Sequence, residues 1–418
     1  MTAGDECQAM KRLKVALFAL WGVLFLIGAE ALFERLTTGL RLTAMTSYVV
    51  WGLWISADIY FIGLSAGAFL ISSLVYVFQM KALERVGKLS LFTALVTLVL
   101  AILMAWFDVG HMERFYEIFT RPSFHSLLND IVWLYSAYFL LLLTELLLAV
   151  RPDLVSLSQL KGARGTLSRL LLFGRTNVSV EASERDRKLL RILGSIGVPL
   201  AITFHGGMGA LFATLVARPY WYGPIYPIFF LAGALASGTA LLTAITAFIW
   251  PEKDKGLRET VASLGRILLW LILFDLLLEW ADLSIPLWYG VGPEISLINT
   301  VLFGQFWYVF WVFTILLGGA IPVVLLVLMP RRTAVVGMAG ALVTITYMAV
   351  RLNIVIPGLI TPELAGLESA YVESRLSFSY LPSLFEWQLL LFIVTIGIGL
   401  FYMGYRLLPL TWTEEKVV

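Results

Sequence analysis

Residues 107–125 read FDVGHMERFYEIFTRPSFH and hold two of the chain's three histidines. Asp108 and His111 stand three apart, so on a helix they would share a face. A histidine exchanges protons near neutral pH without large tuning, and a neighbouring carboxylate can hold or pass on the proton. Asn129 and Asp130 follow across a short connection. A second set is Asp275, Glu279 and Asp282, spaced i, i+4 and i+7, which places three acids on one helical face over about 10 Å. Asp58, Glu145, His205 and Arg351 stand singly among apolar residues. All of these are groups for moving protons and for hydrogen-bonding oxygen.

The rest of the chain decides where they sit. Of 418 residues, 60% are hydrophobic and 14% charged, with mean hydropathy +0.88, whereas a soluble domain carries roughly 25% charged residues. The composition implies an all-α integral membrane protein. Runs of about 20 apolar residues can cross a bilayer as helices, and ten occur, near 13–33, 47–79, 88–108, 126–150, 189–217, 224–250, 259–284, 302–329, 333–356 and 386–408. The first run is read as a retained helix, since no cleavage-type pattern follows it. Cys7 is the only cysteine, which excludes an internal disulfide, a CxxCH haem attachment and a cysteine-held cluster. Only His205 lies deep, so a bis-histidine haem is not expected. No Walker A, HExxH or Cys/His metal pattern is present. Neither a metal nor a nucleic-acid partner is expected.

Lysine and arginine set the orientation. One side gathers most of the 30, including Lys11, Arg12, Lys81, Arg85, Lys88, those of 151–191, Lys253, Lys255, Arg258, Arg331, Arg332, Arg406 and Lys416. The other side holds Arg35, Arg41, Arg114, Arg121, Arg218 and Arg375. An even helix count with both termini in the cytoplasm follows, and residues 107–125 then face outward. The connection 151–188 reads as a basic loop beside anionic lipid, or a docking surface; the outer loop 357–385 is semi-polar and suits a cover or a contact with an extrinsic partner.

Shifted by 171 residues, the second run falls on the sixth: Trp51-Gly52 meets Tyr222-Gly223 and Ala66-Gly67 meets Ser237-Gly238. Small residues midway permit close helix packing. The pattern predicts two four-helix bundles in parallel orientation, helices 2–5 and 6–9, plus two peripheral helices. The corresponding divisions are 1–46, 47–217, 218–356 and 357–418.

An ionisable group near the bilayer centre costs roughly 2.5–3.5 kcal/mol and needs a partner or a water path. Asp58 is eleven residues inside its run, about 16 Å deep if the whole run is helical. Arg351 could neutralise one acid of the Asp275–Glu279–Asp282 ladder; it cannot neutralise three, so a proton path is the reading taken. Glu145, His205 and Asp58 outline a second path. At the outer rim, Trp51, Trp54, Tyr116, Trp133 and Tyr135 offer walls for a flat apolar ligand bearing two oxygens.

The stretches WGLWISADIYFIGLSAGAF, DVGHMERFYEIFTRP and ARPYWYGPIYPIFFLAGALASGTALL resemble the NrfD/PsrC family, membrane subunits of bacterial respiratory complexes that exchange electrons with quinones. The resemblance covers most of 47–356, and ten helices suit the larger HybB-like, ActC-like and QrcD-like members. It implies a quinone substrate, menaquinone more than ubiquinone, in a pocket near the periplasmic face of the cytoplasmic membrane. It also implies no haem, iron–sulfur cluster or metal in this chain. The implied partners are a periplasmic iron–sulfur subunit, with multihaem cytochrome c and molybdopterin-type subunits nearby. By motif position, the family's acid and histidine after helix three fall on Asp108 and His111, and its acid opening helix four on Asp130.

The combined expectation is a quinone-reactive subunit of an oxidoreductase complex, not catalytic alone. His111 and Asp108 act on one carbonyl; Trp54, Asp58, Asn129, Asp130, Trp133 and Tyr135 complete the pocket. Asp58, Glu145, His205, Asp275, Glu279, Asp282 and Arg351 carry protons. A proton-coupled transporter and a passive anchor are the competing expectations.

Overall fold

The computed structural model describes residues 3–218, 220–250, 254–290, 293–364, 366–371, 373 and 375–411. Lys253 and Lys416, used above for orientation, lie outside them. Among the described residues ten helices are long and apolar enough to cross a membrane: α1 (Ala3–Thr38), α2 (Leu53–Tyr76), α3 (Gly87–Asp108), α4 (Leu127–Ser158), α5 (Val180–Ala213), α6 (Tyr226–Ile249), α7 (Lys255–Tyr289), α8 (Val309–Leu328), α9 (Thr333–Ile360) and α10 (Leu384–Leu407). Among the described residues there is no strand. This is an all-α integral membrane fold. The first part of α8, Val309–Ala320, is wound as a π-helix, and Thr314 donates to the carbonyl of Val309 at 3.2 Å.

Several helix starts differ from the apolar runs, and at α2 and α5 the physical reason is visible. The second run begins at 47, but the helix begins at Leu53, because residues 43–52 form a connection that packs against the segment before α10. Asp58 is therefore only five residues into α2, roughly 8 Å along its axis, and not about 16 Å deep. Conversely, α5 starts at Val180, well before its apolar run, with the Ser179 side chain accepting from the Ala182 N–H as an N-cap. Hydropathy sees only the part of a helix that lipid covers. The connection 151–188, expected as a loop, is for the same reason largely helix: the end of α4, a short helix Ala163–Leu172, and the start of α5.

Helices α2–α5 pack on one another, as do α6–α9, and α2 joins the two groups through α6 and α9. Helices α1 and α10 pair with each other, and α10 lies against α3. Ion pairs Arg85–Asp254, Lys88–Asp153 and Arg151–Asp186 draw the ends of several helices together on one side, called here the basic face. The opposite face is tied by arginines at helix C-termini. Arg35 donates to the Phe107 and Val109 carbonyls at 2.8 and 2.7 Å, where terminal carbonyls lack helical partners. Arg218 donates to Gly358 O at 3.2 Å and pairs with Glu363 at 2.9 Å.

Candidate functional site at the opposite-face end of the first helix group

The opposite-face end of α2–α5 carries a cluster of buried polar groups. Tyr135, on α4, donates its hydroxyl to Asp58 Oδ1 at 2.7 Å, with both side chains buried. Asp108 ends α3 with its Oδ1 buried and, among the described residues, without a hydrogen-bond partner; Asn129 Nδ2, at the start of α4, is in the same condition. Asp108 lies within electrostatic reach of Asp58, Arg35 and Glu386.

Three members of this neighbourhood carry no sign in the local sequence around the opening cluster. Arg35 comes from α1 and reaches α3 as described. Tyr380 and Glu386 come from the chain leading into α10: Tyr380 donates to Glu386 Oε1 at 2.5 Å and accepts from the Leu53 N–H at 2.8 Å. Burial, with Glu386 beside it, raises the Tyr380 pKa above the ordinary tyrosine value. Glu386 also accepts from the Ala44 and Ser383 amides, and Ser383 with Glu386 forms a capping box on α10. The spacing Ser383-x-x-Glu386 was the available signal. A Cβ on Gly52 would stand 2.2 Å from the Tyr380 hydroxyl, so a larger residue here would have to displace that side chain.

His111 is not part of the cluster. Its Nδ1 lies 2.9 Å from Glu113 Oε1, and both side chains are largely exposed, at 74% and 70%. The expected Asp108–His111 pair is not formed, because the helix ends at Asp108 and the next residues turn away; the i, i+3 relation never applies. His125 is exposed, Asp130 half-buried and Trp133 39% exposed, packed on Phe119 and Phe124. Trp54, expected as a rim aromatic, is fully buried and donates to the Glu386 carbonyl at 3.1 Å.

Below the cluster, His205 on α5 sits between two carbonyls, Ile62 O at 2.9 Å from Nε2 and Ala201 O at 3.0 Å from Nδ1. A neutral imidazole can donate to only one of them; both are satisfied when both nitrogens carry protons. Further towards the basic face, Glu145 is buried, with Oε1 unpartnered among the described residues.

In the second group, Asp275 accepts from the Tyr347 hydroxyl at 2.9 Å, and its electrostatic neighbour Arg351 donates to the Phe230 carbonyl at 3.3 Å. Glu279 and Asp282 are half-buried and interact electrostatically with one another. Arg351 Nη1 and both polar atoms of the Asn353 side chain are buried without hydrogen-bond partners among the described residues. The ARPYWYGP stretch is explained structurally: Trp221 is fully buried and donates to Ile354 O at 2.7 Å, fastening the entry of α6 to α9. A cavity of about 720 Å³ opens on the same face over the second group, lined in part by Thr300, Gln305, Glu363 and Phe378. None of the site residues expected from the sequence lines it. Among the described residues no three His, Cys, Asp or Glu side chains converge as a metal site.

The family model described as "Polysulphide reductase, NrfD" matches residues 41–363. The chain belongs to the NrfD family. Similar proteins include a selenate reductase subunit of Mesobacillus selenatarsenatis, 36% identical over 97% of this chain and 96% of that protein. An integral membrane subunit of an Hdr-like menaquinol oxidoreductase of Archaeoglobus fulgidus is 26% identical over 90% of this chain and 89% of its own length. The integral membrane subunit of a menaquinone reductase of Nitratidesulfovibrio vulgaris is 22% identical over 98% and 96%. The NrfD-family chain is thus similar along its length to membrane subunits of oxidoreductase complexes.

Proposed function

We propose that this NrfD-family chain is the quinone-reactive membrane subunit of a respiratory oxidoreductase complex, with the quinone headgroup bound at the outer end of α2–α5. What supports this is the Asp58–Tyr135 pair in the interior, with Asp108 Oδ1 and Asn129 Nδ2 left buried and, among the described residues, unpartnered at the same end of the group. Buried polar atoms without partners are uncommon and call for a ligand or water. A quinone carries two carbonyl oxygens, and its reduction takes up two protons and two electrons. Tyr135 and Asp58 supply a hydroxyl and a carboxyl for one oxygen; Asp108 and Asn129 supply a carboxyl and an amide donor for the other. His111 is left at the solvent edge, outside the reacting pair.

The relatives' names as reductase subunits support a redox role, and that of the menaquinone reductase subunit supports menaquinone as the substrate. The electrons pass to or from an extrinsic iron–sulfur subunit on the outer face. Multihaem cytochrome c and molybdopterin-type subunits stand beyond it. The basic face is cytoplasmic by the distribution of lysine and arginine, and the membrane is the bacterial inner membrane. Glu145, His205 and Asp58 succeed one another from the basic face to the cluster and form the proton route to the quinone. Asp275, Glu279 and Asp282 with Arg351 form a second route. Proton uptake from the cytoplasm would make the reaction electrogenic, each charge being worth about 2.3 kcal/mol per 100 mV.

The test is menaquinol-analogue turnover by the assembled complex carrying Asp58→Asn. Turnover should fall about 100-fold or more, the scale of losing one positioned proton-transfer group. Wild-type turnover with normal assembly would refute the site.

A further inference from the structure

A cavity of about 490 Å³ opens on the basic face between the end of α4, the start of α5 and the loop between them. Arg151, Arg175, Arg185, Asp186, Thr176 and Asn177 line it. Arg151 is buried; it pairs with Asp186 at 2.9 Å and donates from Nη2 to the Asn177 carbonyl at 2.9 Å. Its Nε, also buried, has no partner among the described residues. Arg175 and Arg185 are exposed and form no ion pair with a described residue. One carboxylate therefore faces three guanidinium groups, and a planar guanidinium binds phosphate oxygens with paired N–H donors.

The surroundings of the cavity say which phosphate. Leu189 lies on its wall, and Leu189, Ile192 and Ile196 are all exposed on α5 at i, i+3 and i+7. They form an apolar stripe that runs from the cavity along the side of the helix. Leu170 and Phe173, at the end of the short helix Ala163–Leu172, are also exposed, at 66% and 77%. Phe173 holds a left-handed backbone at φ 46°, unusual for a bulky residue, with Gly174 following at φ 76°. The turn leaves the Phe173 side chain exposed, directly before Gly174 on the cavity wall. Free phosphate has no use for an apolar stripe; two acyl chains do.

We propose that this cavity is a binding site for the headgroup of an anionic phospholipid, with the phosphate between Arg151, Arg175 and Arg185 and the acyl chains along Leu189, Ile192 and Ile196. Basic pockets at the ends of membrane helices suit such headgroups, and each arginine near an anionic lipid is worth about a factor of five in binding. The site lies at the far end of the helix group from the quinone cluster and stands independently of it.

The experiment is native mass spectrometry of the purified full chain in detergent, with added phosphatidylglycerol or phosphatidylcholine. Two double variants are compared: Arg175→Gln with Arg185→Gln, and Arg187→Gln with Lys188→Gln, which removes the same charge from residues outside the cavity wall. Wild type and the second variant should retain phosphatidylglycerol in preference to phosphatidylcholine. The first variant should lose that retention by about tenfold or more, from two such contributions. Equal retention by both variants, or equal loss from both, would overturn the site. Displacement of phosphatidylglycerol by millimolar inorganic phosphate alone would overturn the lipid as its occupant.

Discussion

Gly67 on α2 and Gly238 on α6 meet backbone to backbone: a Cβ on Gly67 would stand 2.7 Å from the Gly238 Cα and 2.6 Å from the Ala234 carbonyl oxygen. A Cβ on Gly238 would stand 2.4 Å from the Leu64 carbonyl oxygen. This crossing joins the two helix groups, and in lipid such contacts depend on close approach of backbones. Gly238→Ala must push the helices apart, because the facing atoms are backbone and cannot swing away. Its expected cost is about 1–3 kcal/mol, the range for an overpacked core, read as a lower thermal midpoint of the detergent-purified chain. Gly22→Ala, at a site with nothing within 4 Å, is the control.

Tyr135 and His111 separate the two views of the quinone site. Tyr135→Phe removes the 2.7 Å donor to Asp58 and leaves a buried carboxyl oxygen unpartnered, at a cost of about 1–3 kcal/mol. Separately, loss of one hydrogen bond of about 1 kcal/mol to the bound headgroup should lower turnover of a menaquinol analogue about fivefold or more. His111→Ala should leave turnover within about twofold, as expected of an exposed side chain away from the reacting oxygens. The reverse order of effects would restore His111 to the reaction.

Arg351 is fully buried beside Asp275. Arg351→Met alone should destabilise the chain by about 3–5 kcal/mol, because it leaves a buried charge uncompensated. Combining it with Asp275→Leu should recover much of that loss. Thermal unfolding of the single and double variants decides the matter; no recovery would mean that other groups, Glu279 among them, share the arginine.

Asp254 caps α7, accepting from the Leu257 N–H at 2.8 Å, and meets Arg85 Nη1 at 2.7 Å. The Leu257 amide first, then Arg85, hold its pKa below the ordinary 3.8. A depressed carboxylate favours the fold above its unfolded pKa and loses that contribution as pH falls through the folded one. The stability gap between wild type and Asp254→Ala should therefore be full at neutral pH and shrink below pH 3.8. Melting curves at both ends of that window test it; a gap that does not change would contradict the sign.

By itself the sequence determined the ten helices, the basic face and the small-residue stretches that permit close packing. Each of these is a property of local composition: lipid demands long apolar helices, and Ala66-Gly67 and Ser237-Gly238 announce a close approach by lacking side-chain bulk. The family was legible too, in the stretches around Trp51, Asp108 and Arg218. What only the tertiary structure decided was which polar groups share a space. Asp58 and Tyr135 are distant in sequence and meet because α2 and α4 lie in one group. Arg35, Tyr380 and Glu386 reach the same end because α1 and α10, peripheral in order, pair beside α3. His111 was set apart by a helix that stops at Asp108. Spacing along the chain predicts a shared face only while the helix continues, and partners from other helices leave no mark on local spacing at all.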